Sequence, residues 1–148
     1  MIRPYREQDF DTVTRFWHEA MRVAMPEVEA RVGHTLEDAR AFFRTVVSVE
    51  GQLWVYVLDE TPVGYLALQA EFIDRLYVDP AYHRRGIGQA LLDHAKTLSP
   101  DHLWLYTHVA NSVARAFYEK NGFIAERFGV SPPPESEPDV EYHWRPKV

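Results

Sequence analysis

The stretch Tyr82–Leu92 reads YHRRGIGQALL, and its glycines at 86 and 88 decide how the whole chain is read. It follows Phe72–Val78 (FIDRLYV), a strand candidate closed by Asp79-Pro80, and it runs into a segment with Ile87, Leu91, Ala95 and Leu98 on one helical stripe. A helix start offers free N–H groups and the positive end of a dipole, which is where anions bind. Gly86 and Gly88 permit close backbone approach to a phosphate, and Arg84 and Arg85 add charge. The combination suits a pyrophosphate held mainly by main-chain donors. An ordinary glycine-bearing helix start has the same string.

Two other phosphate sites are excluded by pattern. A Walker loop requires GxxxxGK[ST], which the sequence lacks. A dinucleotide fingerprint requires its first glycine directly after a strand and an acid near the end of the next strand. Here Asp79–Arg85 intervene, and the next strand candidate ends Tyr106-Thr107-His108-Val109 with no carboxylate. Coenzyme A is the remaining phosphate ligand.

Outward from this loop the chain alternates hairpins with strand–helix units. Ile2–Tyr5 is a short strand; Asp9 is placed to cap a helix carrying Phe10, Val13, Trp17, Ala20 and Ala24, and Pro26 stops it. Pro26–His34 is polar and poorly periodic and reads as a loop. Thr35 and Asp38 form a weak capping box for a second helix with Leu36, Ala39, Phe43 and Val46 on one face. Leu53–Leu58 and Val63–Gln69 form a hairpin around Asp59-Glu60-Thr61-Pro62, and Leu103–Val109 is a further strand. Asn111 or Ser112 caps a helix over Val113–Lys120, closed by Asn121-Gly122. Phe123–Val130 and Val140–Trp144 are strand candidates on either side of the loop Ser131–Pro138 (SPPPESEP). The order predicts an α/β fold: a mixed, mostly antiparallel central sheet with helices on both faces, in one domain spanning 1–148.

Composition sets the limits of function. The chain has 148 residues and a formal net charge of −6, so a basic nucleic-acid-binding face is not expected. Cysteine is absent, which removes disulfides, thiolate metal sites and an acyl-cysteine intermediate. None of the seven histidines stands at HxH or HxxxH spacing, so no metal is expected. No apolar leader or membrane-length run is present, and a cytoplasmic protein without membrane association, monomer or homodimer, is the expectation.

The segments LYVDPAYHRRGIGQALL and NSVARAFYEKNGF, in this order, resemble the GNAT superfamily of acetyltransferases over nearly the whole chain. The loop pattern of that family is Gln/Arg-x-x-Gly-x-Gly/Ala, and His83 departs from it at the first position. The resemblance implies acetyl-CoA as cosubstrate. Leu76, Tyr77 and Val78 match the strand that pairs with the pantetheine arm. Arg84, Arg85, Gly86, Ile87, Gly88 and Gln89 match the pyrophosphate cradle, and Asn111 the pantetheine-side asparagine. Tyr118 matches the tyrosine that protonates the departing thiolate. A thiol ionises near pH 8.5 and a phenol near 10, so a placed phenol is chemically suited to that step.

The implied reaction is transfer of an acetyl group to a primary amine, on a small molecule or a peptide, by direct attack in a ternary complex. The rival readings are a non-catalytic acyl-CoA sensor and a protein or peptide N-acyltransferase. Asp74, a charge in an apolar strand on the parity of Phe72, Leu76 and Val78, is the first candidate for the base. His108 is the second. The region Phe16–Val47 and the Pro-rich loop are the expected acceptor walls, with Trp17, Phe42, Phe43 and Trp54 as candidate pocket aromatics.

Overall fold

The structure, a computed structural model, describes residues 1–47 and 51–146. Seven strands form one sheet: β1 (Ile2–Pro4), β2 (Gln52–Leu58), β3 (Thr61–Gln69), β4 (Phe72–Val78), β5 (Leu103–His108), β6 (Ile124–Val130) and β7 (Pro138–Trp144). Their order across the sheet is β1-β2-β3-β4-β5-β7-β6. Every neighbouring pair is antiparallel except β4 and β5. The helices are α1 (Phe10–Ala24), α2 (Pro26–Val32), α3 (Leu36–Phe42), α4 (Ile87–Leu98) and α5 (Ser112–Lys120).

Strand β3 shows why helices cover both faces. Its residues alternate between two cores. Leu66 and Leu68 join Ile87, Leu91 and Leu92 of α4 and Tyr118 of α5. Tyr65 and Ala67 join Val13, Phe16 and Trp17 of α1 and Ala39 of α3. Leu91 and Leu92 are fully buried, each worth roughly 1.5–3 kcal/mol of transfer free energy. Leu98, by contrast, leaves the α4 stripe and is 40% exposed.

Three local expectations need correction. Pro26–Val32 is a helix rather than a loop: Pro26 occupies its first turn, where a missing N–H costs nothing, and Gly33 ends it at φ +73°. Its polar look reflects burial of a single residue, Val28. Asp9 does not cap α1 with its side chain. Its carboxylate instead accepts from both Arg3 guanidinium nitrogens at 2.8 Å and from the Arg6 N–H at 2.9 Å, tying β1 to the start of α1. β7 begins at Pro138, where a first-strand position tolerates the absent N–H.

The Thr35–Asp38 capping box is present in both directions, at 2.9 and 3.1 Å. Asn111, rather than Ser112, caps α5 through its side chain, accepting from the Ala114 N–H at 3.1 Å. The hairpin turn is made by Asp59 and Glu60, both at positive φ, as two-residue hairpins require. The side chain of Val46 lies outside the described residues. Among the described residues no helix is long and apolar enough to cross a membrane.

Candidate active site

Strands β4 and β5 pair only at Phe72↔Trp104, so their C-terminal ends are free to part. A bulge sharpens this. Ala67 pairs with Arg75 and Leu68 with Ile73, which leaves Asp74 as the extra residue. The bulge resets side-chain alternation, so Phe72 no longer shares a face with Leu76 and Val78. Ile73 shares the buried core with Leu76 and Val78, while Phe72 packs on Trp104 with ring centroids 4.5 Å apart. Asp74 instead lies beside Arg75, with its carboxylate 3.5 Å from that guanidinium.

The connection from β4 to α4 ends in a helix start with free main-chain donors. Asp79 accepts from the Ala81 N–H at 3.0 Å and opens a single 3-10 turn, Pro80–Tyr82. The His83 ring lies 3.3 Å from the Val78 carbonyl, so this out-of-pattern residue braces the loop against its strand. Arg84 and Gly86 sit at φ +65° and +77°, an unusual backbone for a non-glycine residue and one that favours glycine at 86. The N–H groups of Ile87, Gly88 and Gln89 then form the first turn of α4, with no partner inside the helix.

Gly88 differs from Gly86. A Cβ there would meet Val78, Phe117 and Leu76 at 3.7–4.0 Å, which is ordinary contact, so the protein itself has room for a side chain. The bare backbone at Gly88 leaves the first turn of α4 open to approach from outside. Arg85 rests over the Tyr82 ring at 5.2 Å. The Gln89 side chain is engaged elsewhere, donating to Asp93 at 3.0 Å and to Asn121 at 2.7 Å.

Helix α5 supplies the opposite wall. Asn121 donates to the Phe117 carbonyl at 2.8 Å and receives both Gln89 and Lys96, which locks the end of α5 to α4. Tyr118 is 7% exposed and edge-on to Phe117 and Phe123. Burial, aided by the neighbouring Tyr77, pushes its phenol above the ordinary tyrosine value, so it holds its proton at neutral pH.

A cavity of about 980 Å³ runs along the parted strands. Asp74, Leu76, Tyr77, Asn111 and Tyr118 all line it, while Val78 and the 84–89 loop stand outside its wall. Across the chain, a model of the acetyltransferase (GNAT) family matches residues 14–123.

The chain belongs to the acetyltransferase (GNAT) family.

It is 32% identical over 123 residues to the peptidyl-lysine N-acetyltransferase YjaB of Salmonella typhimurium, covering 82% of this chain and 81% of that protein. Against the peptidyl-lysine N-acetyltransferase YiaC of Escherichia coli it is 27% identical over 124 residues, covering 83% and 82%. A GCN5-related N-acetyltransferase of Rhodopseudomonas palustris shares the fold, with a TM-score of 0.85 at 22% identity over 98% of this chain and 94% of that one. The PaiA N-acetyltransferase of Thermoplasma acidophilum, solved with coenzyme A, superposes with a TM-score of 0.69 at 23% identity over 98% of both chains. This GNAT chain is thus an N-acetyltransferase with acetyl-CoA as its cosubstrate.

The expected pocket aromatics divide between the cavity wall and the core. Trp17 and Phe42 line the cavity, but Phe43 is fully buried in the core and Trp54 packs on His94 of α4, away from the cavity. Arg75 was missed. Its guanidinium lies over Trp17 and Phe42 at 6.0 and 5.4 Å and donates to the Asp74 carbonyl at 2.7 Å. Burial opposes its charge, yet Tyr77, Asp74 and Tyr65 outweigh burial and hold its pKa above the ordinary arginine value. A second charge beside Asp74 in an apolar strand was the available signal. His108 lines the same cavity, and its Nδ1 is buried without a hydrogen-bond partner.

Proposed function

We propose that this chain transfers the acetyl group of acetyl-CoA to a primary amine by direct attack in a ternary complex. The observation that carries the reading is Tyr118, a buried phenol on the wall of the cavity that Asp74, Leu76, Tyr77 and Asn111 also line. With no cysteine in the chain, an acyl-cysteine has no donor.

Asp74 takes a proton from the incoming ammonium, and the freed nitrogen attacks the thioester carbonyl. The C–S bond breaks, Tyr118 donates its proton to the departing sulfur, and the second amine proton returns to the phenolate. One proton leaves per acetyl group moved. Leu76, Tyr77 and Val78 offer the backbone edge for the pantetheine arm, with Asn111 facing it. Arg84, Arg85 and the first-turn N–H groups of Gly86 to Gln89 hold the pyrophosphate. His108 is the second reading for the base, favoured by its unpartnered ring nitrogen, whereas Asp74 shares its carboxylate with Arg75.

Relatives named for peptidyl-lysine support a lysine-type acceptor. One named spermidine N(1)-acetyltransferase, 38% identical over 77 residues, supports a small amine. A cytoplasmic setting belongs to the same proposal. Thiol release from acetyl-CoA, measured over a panel of primary amines, tests it. Tyr118→Phe is expected to lower kcat by about 10²-fold or more with coenzyme A affinity retained. A sensor would bind coenzyme A and release no thiol with any amine.

A further inference from the structure

The Pro-rich loop between β6 and β7 does not hang free. It closes on itself, with the Ser131 N–H donating to the Glu137 carbonyl at 2.8 Å and the Glu137 N–H to the Ser131 hydroxyl at 3.0 Å. Its tip then reaches across to the α2–α3 corner, more than a hundred residues back in the chain. The Arg31 guanidinium donates to the Glu135 carbonyl and lies 3.6 Å from the Glu137 carboxylate. The His34 ring lies 3.4 Å from Glu135 through Nε2 and 3.1 Å from Glu29 through Nδ1. The His34 carbonyl is in turn 3.0 Å from the His18 ring of α1.

Both abutments of this bridge line the single cavity described above: Met21, Glu29 and Phe42 on one side, Pro132 and Pro134 on the other. The loop therefore spans the split in the sheet and roofs the acceptor end. A second observation concerns what enters. The Glu29 side chain is 11% exposed, and its Oε2 is buried with no hydrogen-bond partner, although the other oxygen faces His34. An unmet buried carboxylate oxygen under a roof is costly unless a cation meets it. Trp17 and Phe42 supply apolar walls suited to a methylene chain.

We propose that the Arg31/His34–Glu135/Glu137 bridge determines acceptor specificity. It passes an ammonium on an unbranched chain, free or at the end of a lysine side chain, and excludes an amine on a branched carbon such as a polypeptide N-terminus. Glu29 is the group that draws the ammonium beneath the roof. This rests on the amine reading of the preceding subsection.

The test compares the full chain with an Arg31→Ala/His34→Ala variant of matched circular dichroism. Thiol release is measured with Nα-acetyl-lysine methylamide and with alanine methylamide. The intact bridge is expected to favour the lysine compound by about 100-fold in kcat/KM, and the variant to shrink that ratio by at least about tenfold. An unchanged ratio overturns the proposal. A second readout needs no turnover. Because the chain has no cysteine, Met21→Cys places a single thiol in the cavity wall. Iodoacetamide is expected to label it at least about tenfold faster, relative to free thiol, than a fluorescein maleimide, and loss of the bridge to erase the difference. Equal relative rates with the bridge intact also overturn the roof. If neither amine is acetylated while size selection persists, the amine reading fails and the roof stands.

Discussion

The two halves of the proposed site are built from different materials. The proposed donor half is backbone: a bulged strand, two left-handed residues, a helix start with free N–H groups and a capped second helix. Its parts lie close together in sequence. The proposed acceptor half is side chains drawn from distant segments: Trp17, Arg75 and the Arg31–Glu135 bridge. Backbone sites are set by local conformation and tolerate few changes of residue type. Side-chain sites can be rebuilt by substitution without disturbing the frame, which is a physical reason for one fold to serve many acceptors.

This contrast can be broken at several points, and the largest effect is expected in the frame of the acceptor half. Asp9 is 3% exposed and held by Arg3, so Asp9→Ala leaves a part-buried guanidinium unpaired and costs about 3–5 kcal/mol in a denaturant melt. Burial alone would raise the Asp9 pKa. Hydrogen bonds from Arg3 and Arg6 outweigh it and hold the carboxyl below the ordinary carboxylate value. A pKa depressed by folding means stability that is fully present above the unfolded value, near 3.9, and lost as pH falls through the folded one. Wild-type stability should therefore drop below about pH 4, and Asp9→Asn should flatten that slope.

The donor half should fail at its glycines, each in its own way. Gly86→Ala forces a side chain into φ +77° and is expected to cost about 1–2 kcal/mol by thermal denaturation, even though no atom lies within 4 Å of the new Cβ. Thr35→Ala, which removes the capping box of α3, should cost about 1 kcal/mol and leave coenzyme A affinity unchanged by calorimetry. Gly88→Ala is expected to shift stability by less than about 0.5 kcal/mol yet weaken coenzyme A binding. Equal coenzyme A affinity in Gly88→Ala would remove the close-approach account of that loop.

Much of the backbone from β4 to α5 was legible because its signals are local. Gly86, Asn111 and Gly122 act within a turn of where they stand, so spacing along the chain carries the geometry. The hairpin and the Thr35 capping box were readable for the same reason. α2 was missed because it buries only Val28, which leaves no period to detect. The parity shared by Phe72, Leu76 and Val78 failed at a bulge, an extra residue that alternation cannot anticipate.

The amino-acid sequence by itself determined the α/β frame, the glycine-bearing start of α4 and the helix that carries Tyr118. Each depends on backbone preferences and on hydrophobic periods a few residues long. Only the tertiary structure decided that Arg75 stands against Asp74 on two aromatic rings, that Trp54 faces away, and that Arg31 and His34 meet Glu135. Those contacts join segments up to 104 residues apart. They form only after the sheet has folded, and no local preference encodes them.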